Sequence, residues 1–93
     1  VAEVLRWTPL RHQMLTRVRA SPNGDLRKHK HGLYYSQTAD LTAKQQRALR
    51  QLHEADVITE VDRTVTSAAL TPSHDGFLVL ARWNAKHPEV ADA

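Results

Sequence analysis

The chain has 93 residues and a mass of 10.5 kDa, a size that makes one domain and hides roughly 60–68 per cent of its unfolded surface around one modest core. With 41% hydrophobic and 25% charged residues it reads as globular, no apolar run approaches the ~18 residues that a membrane span needs, and zero cysteines exclude disulfides, thiolate zinc sites and a cysteine nucleophile. The net charge of +3 conceals a split: residues 1–50 carry seven Arg and three Lys against Glu3, Asp25 and Asp40, a net of +7, whereas residues 51–93 carry three cations against seven carboxylates, a net of −4.

Thr8-Pro9 supplies an N-cap and a proline for the first helical position, and Leu10, Met14 and Val18 follow at helical spacing toward Ala20. This predicts a first helix with Arg11, Arg17 and Arg19 mostly off its apolar stripe. Ser21-Pro22-Asn23-Gly24-Asp25 is turn chemistry that ends it. Leu26 to His31 is almost wholly basic, Gly32 interrupts the run, and Leu33-Tyr34-Tyr35 is rich in strand-favouring aromatics. The segment 26–37 therefore reads as a two-stranded hairpin, with a short helix as the competing assignment.

At 100 degrees per residue, Leu41, Ala48, Leu49, Leu52 and Ala55 share one face of a helix over 41–55, with Asp40 as its expected N-cap. The opposite face carries Ala43, Gln46, Arg47, Arg50 and Glu54, with Thr42 and Lys44 toward its edges. Val57 to Val61 favours a strand, Asp62-Arg63 a turn, and Thr64 to Leu70 a second strand. Thr71-Pro72 repeats the cap-and-proline signal and predicts a final helix through Phe77–Ala81 to Trp83 or a little beyond. The expected fold class is α+β, mainly helical: three helices, a β-hairpin in the C-terminal half and a second hairpin near 26–37, in one domain over 1–93. Residues 1–7 and 88–93 are expected to fray.

No enzymatic motif emerges. His29 and His31 share a strand face at a spacing of two, but no third ligand is anchored near them, so no metal site is expected. Ser36, a histidine and an aspartate lack any local signature that would hold a catalytic triad together. Gly24, Gly32 and Gly76 form no phosphate-cradling loop, so no cofactor is expected. The opening residues contain no charged-then-apolar leader, which together with the absent cysteines points to a reducing cytoplasm.

The stretch Leu49-Arg50-Gln51-Leu52-His53-Glu54-Ala55-Asp56-Val57-Ile58, the hairpin after it and Leu70-Thr71-Pro72 resemble the winged helix-turn-helix family, and the last three residues resemble the start of the post-wing helix in MarR-type regulators. The resemblance covers roughly the last two-thirds of the chain. Asp56 stands where the family usually has glycine, Gly76 lies five residues after Thr71 rather than three, and the segment 26–37 replaces a second helix.

The resemblance implies a double-stranded DNA-binding regulator, or a phage or mobile-element factor, whose helix 41–55 enters the major groove. Thr42, Ala43, Gln46, Arg47 and Arg50 would then face the major groove, with Lys44 a further DNA contact at the edge of that face; there Arg can pair bidentately with guanine and Gln with adenine. Arg27, Lys28 and Lys30, with His29 and His31, form the densest basic cluster and are the expected source of phosphate contacts, because clustered cations release condensed counterions. Arg63 would sit at the wing tip. The alternative is a protein-interaction module of winged-helix shape that does not bind DNA; a single-stranded partner would have only Tyr34 and Tyr35 as stacking platforms. In the final helix Phe77, Leu80 and Ala81 are expected to face the core, leaving Val79 and Trp83 for a homodimer interface, with cover by Val4, Leu5 and Trp7 as the rival arrangement.

Overall fold

The computed structural model describes residues 5–20 and 25–91. In chain order these form α1 (Pro9–Ala20), β1 (Leu26–His29), β2 (Tyr34–Ser36), α2 (Ala43–Glu54), β3 (Ile58–Val61), β4 (Ser67–Pro72), α3 (His74–Lys86) and a short α4 (Pro88–Ala91). The four strands make one antiparallel sheet in the order β2-β1-β4-β3, so the early hairpin and the late one are joined through β1 and β4. No helix among the described residues is long and apolar enough to cross a membrane.

Strand alternation divides the sheet into two faces. Leu26, Tyr34, Ile58 and Leu70 turn to one face and join Met14, Leu15 and Val18 of α1, Ala48, Leu49 and Leu52 of α2, and Val79, Leu80 and Trp83 of α3 in the core. On the other face Tyr35, Arg27, Ala69 and Val61 lie in one row across all four strands.

Local chemistry accounts for the helix ends. The Thr8 hydroxyl accepts from the Arg11 amide at 3.1 Å, as the N-cap reading requires. For α2 the cap is Thr42 rather than the expected Asp40: Thr42 Oγ1 accepts from the Gln45 amide and Gln45 Oε1 accepts from the Thr42 amide, a reciprocal capping box. The helix closes with the Val57 amide donating to Leu52 O and the Asp56 amide to His53 O, while Asp56 takes φ 62°. This is a Schellman ending with aspartate in the left-handed position that glycine usually fills.

Several expectations need correction. Thr64 to Thr66 are loop, because Thr64 Oγ1 accepts from the amides of Thr66 and Ser67 and donates to Ser67 O, which diverts the backbone from a ladder. Thr71 and Pro72 belong to β4, with Pro72 opposite Ile58, and Ser73 caps α3 instead, accepting from the Gly76 amide at 3.0 Å. Gly76 is required there, since a Cβ at this position would lie 1.9 Å from Val57 O.

That close approach turns the stripe Gly76, Val79, Leu80 and Trp83 toward the core. Val79 and Trp83, expected to be free for a second copy, are only 6% and 5% exposed, whereas Phe77 and Leu78 are 48% and 54% exposed. The single chain already covers the Val79–Trp83 face, so it is not the dimer interface. Within the termini expected to fray, Leu5 and Trp7 pack against the core and α4 packs against α1. Val4, the turn residues 21–24 and the remaining terminal residues lie outside the described residues.

Candidate functional site

The side of α2 turned away from the core places Ala43, Lys44, Arg47 and Arg50 in solvent. Among the described residues none of the three cations forms an ion pair. Thr42 is also exposed, but its hydroxyl is committed to the cap. Gln46 is half-buried and its amide donates to Leu41 O at 3.4 Å, so it is partly withdrawn from the row expected to face a ligand.

The basic segment before Gly32 does not behave as one cluster. Successive residues of a strand point to opposite faces, so Arg27 lies on the helix-free face, its Nε donating to Ser67 Oγ at 3.0 Å, while Lys28 turns toward α2. Lys30 is exposed in the β1–β2 turn, and its amide donates to Thr66 O at 2.8 Å, tying that turn to the 62–66 loop. Lys28 and Arg50 line one hollow with Gly32, Tyr34, His53 and Glu54. A neighbouring hollow brings Lys28 and Lys30 together with Glu60, Arg63 and Val65. Val65, at the loop tip, is 89% exposed.

Glu60 and His53 were not legible as site residues from their sequence neighbourhood. Glu60 alternates with Ile58 on the core-facing side of β3, and a carboxylate at the margin of an apolar face requires partners. It has three: Arg63 at 3.4 Å on one oxygen, and His53 at 3.5 Å and Lys28 at 3.8 Å on the other. The period-two pattern of Ile58-Thr59-Glu60 is the signal that points to this arrangement.

His53 also meets the Tyr34 hydroxyl through Nδ1 at 2.8 Å. With the ring proton on Nε2 facing Glu60, Nδ1 accepts from the phenol, an assignment made from the hydrogen-bond network. Burial pushes the Tyr34 phenol above its ordinary value; the Glu60 and Glu54 carboxylates act in the same direction and the Arg50 guanidinium against them. Tyr34 therefore keeps its proton and serves as donor. Lys28 Nζ lies 5.9 Å from the Tyr34 ring centroid, a cation–π contact that holds the ammonium beside the same group.

His29 and His31 bring their rings to 4.9 Å, and the His31 amide donates to His29 Nδ1 at 3.2 Å. Among the described residues no group of three or more His, Cys, Asp or Glu side chains is placed to hold a metal ion. The arrangement as a whole offers cations from α2, β1, the β1–β2 turn and the 62–66 loop, with Glu60 as the carboxylate between two of them. Comparison with protein-family models, with curated proteins and with solved structures finds no match for this chain.

Proposed function

We propose that the protein binds double-stranded DNA, as a winged-helix regulator or mobile-element factor of the cytoplasm, with α2 entering the major groove. The observation that carries this reading is the convergence of Arg50 from α2 and Lys28 from β1 on one hollow, with Lys44 and Arg47 exposed on the same helix as Arg50. A helix presenting unpaired guanidinium groups has the dimensions and donors that the major groove accepts. The β3–β4 hairpin follows α2 directly and stands for the wing; β2 occupies the stretch where a second helix is usual. Action would be by occupancy, with Arg47 and Arg50 reading bases and Lys28, Lys30 and Lys44 neutralising phosphates.

A mobility-shift titration against random duplex at low and moderate salt tests the reading. Binding should fall with a log–log slope of about −0.9 for each phosphate neutralised. Absence of salt-sensitive binding by the folded protein rejects it. A protein-interaction role rests on a different observation, the exposed Phe77 and Leu78 on α3, and becomes the better reading in that event.

A further inference from the structure

We propose that Lys28 and Arg63 form a phosphate subsite in which the Glu60 carboxylate is the resident competitor, displaced when a phosphate group arrives. The inference deepens the duplex-binding reading and rests on it for the source of the phosphate. Lys28 and Arg63 approach Glu60 from different elements, β1 and the loop after β3, and meet at opposite oxygens of one carboxylate. Lys28 reaches it across Ala68, its register partner on β4, where a larger side chain would stand in the way. The two cations thus share one anion, in the arrangement by which paired cations also grip a phosphate.

The carboxylate is held loosely enough to leave. Its contacts with the two cations, 3.4 and 3.8 Å, exceed the 2.7–2.9 Å of a strong charge-assisted bond, and the Arg63 side chain is 73% exposed. The Arg63–Glu60 pair, open to solvent on the arginine side, contributes little net stability, and the Lys28–Glu60 pair, with side chains 28% and 21% exposed, is long at 3.8 Å. A displaced Glu60 also keeps a polar neighbour, because His53 Nε2 lies 3.5 Å from the oxygen that Lys28 approaches and the ring is braced by Tyr34. Binding a phosphate therefore exchanges one anion for another at Lys28 and Arg63 without leaving Glu60 unaccompanied.

The test compares the full chain with Glu60→Gln and Asp75→Asn, using a labelled random duplex and, separately, inorganic tripolyphosphate. Asp75 is exposed on α3, lines neither hollow and forms no ion pair among the described residues, so its variant removes the same charge but no competitor. Glu60→Gln should bind duplex about threefold to tenfold more tightly at a similar salt slope, because the same two cations meet phosphate in both complexes and only the competing carboxylate is gone. The gain should disappear when Lys28→Ala and Arg63→Ala are added, and Asp75→Asn should change affinity less than about twofold.

In the wild-type chain, tripolyphosphate should shift the NMR resonances of the Glu60 carboxylate carbon and the Arg63 Nε. This measurement needs no substitution and decides the matter if Glu60→Gln fails to fold. Equal or weaker duplex binding by folded Glu60→Gln, or an equal gain from Asp75→Asn, overturns the subsite while leaving duplex binding intact. Tripolyphosphate shifts without any duplex binding would keep the subsite and reject DNA as its source. No response to either anion rejects both.

Discussion

Trp7 lies flat on His87, the ring centroids 3.6 Å apart and the planes 9° from parallel, and the indole N–H donates to Nδ1 of His12 at 3.1 Å. These contacts fasten the segment before α1 to the end of α3. His12 is fully buried, and its Nε2 meets Asn84 Oδ1 at 2.6 Å, so the ring proton sits on Nε2 and both nitrogens are satisfied. His12→Ala should lower the free energy of unfolding by about 2–4 kcal/mol, through the lost packing and the orphaned partners. The urea midpoint checks this, and a loss below about half a kcal/mol would remove the network from the list of stabilising features.

Gly76 is the point of closest approach between α3 and the start of β3. An alanine there places its Cβ 1.9 Å from the Val57 carbonyl oxygen, a backbone atom that cannot yield without moving the strand. Gly76→Ala should destabilise by about 2 kcal/mol or more despite alanine's better helix propensity. Thermal unfolding of the two proteins side by side is the measurement.

Asp56 predicts a gain rather than a loss. Its φ of 62° is a conformation that glycine adopts without a Cβ penalty, and its amide already completes the Schellman ending. Asp56→Gly should stabilise the fold by about 0.5–1 kcal/mol, a rise in Tm of a few degrees for a domain of this size.

Acid should act through Asp25. Partial burial by itself would raise this carboxyl, but hydrogen bonds from Ser36 and Thr38 and the nearby Arg17 guanidinium outweigh burial and hold it below 3.8. A depressed folded-state value contributes stability that is present above the unfolded value and is lost as pH falls from there through the folded value. Asp25→Asn should therefore be less stable than the wild type at neutral pH. Urea midpoints should converge once both are measured in acid below that window.

On the proposed interface, Arg47→Ala and Lys44→Ala should separate reading from anchoring. Arg47→Ala should cost about 1–3 kcal/mol of discrimination at one base position. Lys44→Ala should weaken all sequences alike and reduce the magnitude of the salt slope by about 1. Competition binding against a panel of duplexes distinguishes them, and identical behaviour would dismiss this division of labour.

The helices were readable because their signals are local. Thr8-Pro9 opens α1 where it stands in the chain, and the spacing of Ala48, Leu49 and Leu52 marks the buried side of α2. Thr42-x-x-Gln45 carries a capping-box pattern that outcompetes Asp40, and Ser73 displaces the Thr71-Pro72 pair because Pro72 is engaged opposite Ile58. The buried side of α3 differs from the expected one for another reason. Val79 and Trp83 become the inner face only because Gly76 admits the Val57 carbonyl, a tertiary contact that helical periodicity does not encode. The splitting of Arg27 from Lys28 likewise needed the strand register, and the meeting of Lys28 with Glu60 needed the β1–β4 pairing.

That pairing also governs how the chain must assemble. His29 and Ser67 are neighbours across the β1–β4 ladder although all of α2 and β3 separates them in sequence, and closing a loop of that length costs about 3 kcal/mol of chain entropy. An isolated two-stranded hairpin is at best marginally stable in water, so the β1–β4 pairing draws its stability from the helices that cover the sheet. The electropositive N-terminal half and the electronegative C-terminal half thereby become adjacent strands of one sheet, and any nascent chain released before the last strand emerges carries an unpaired central edge.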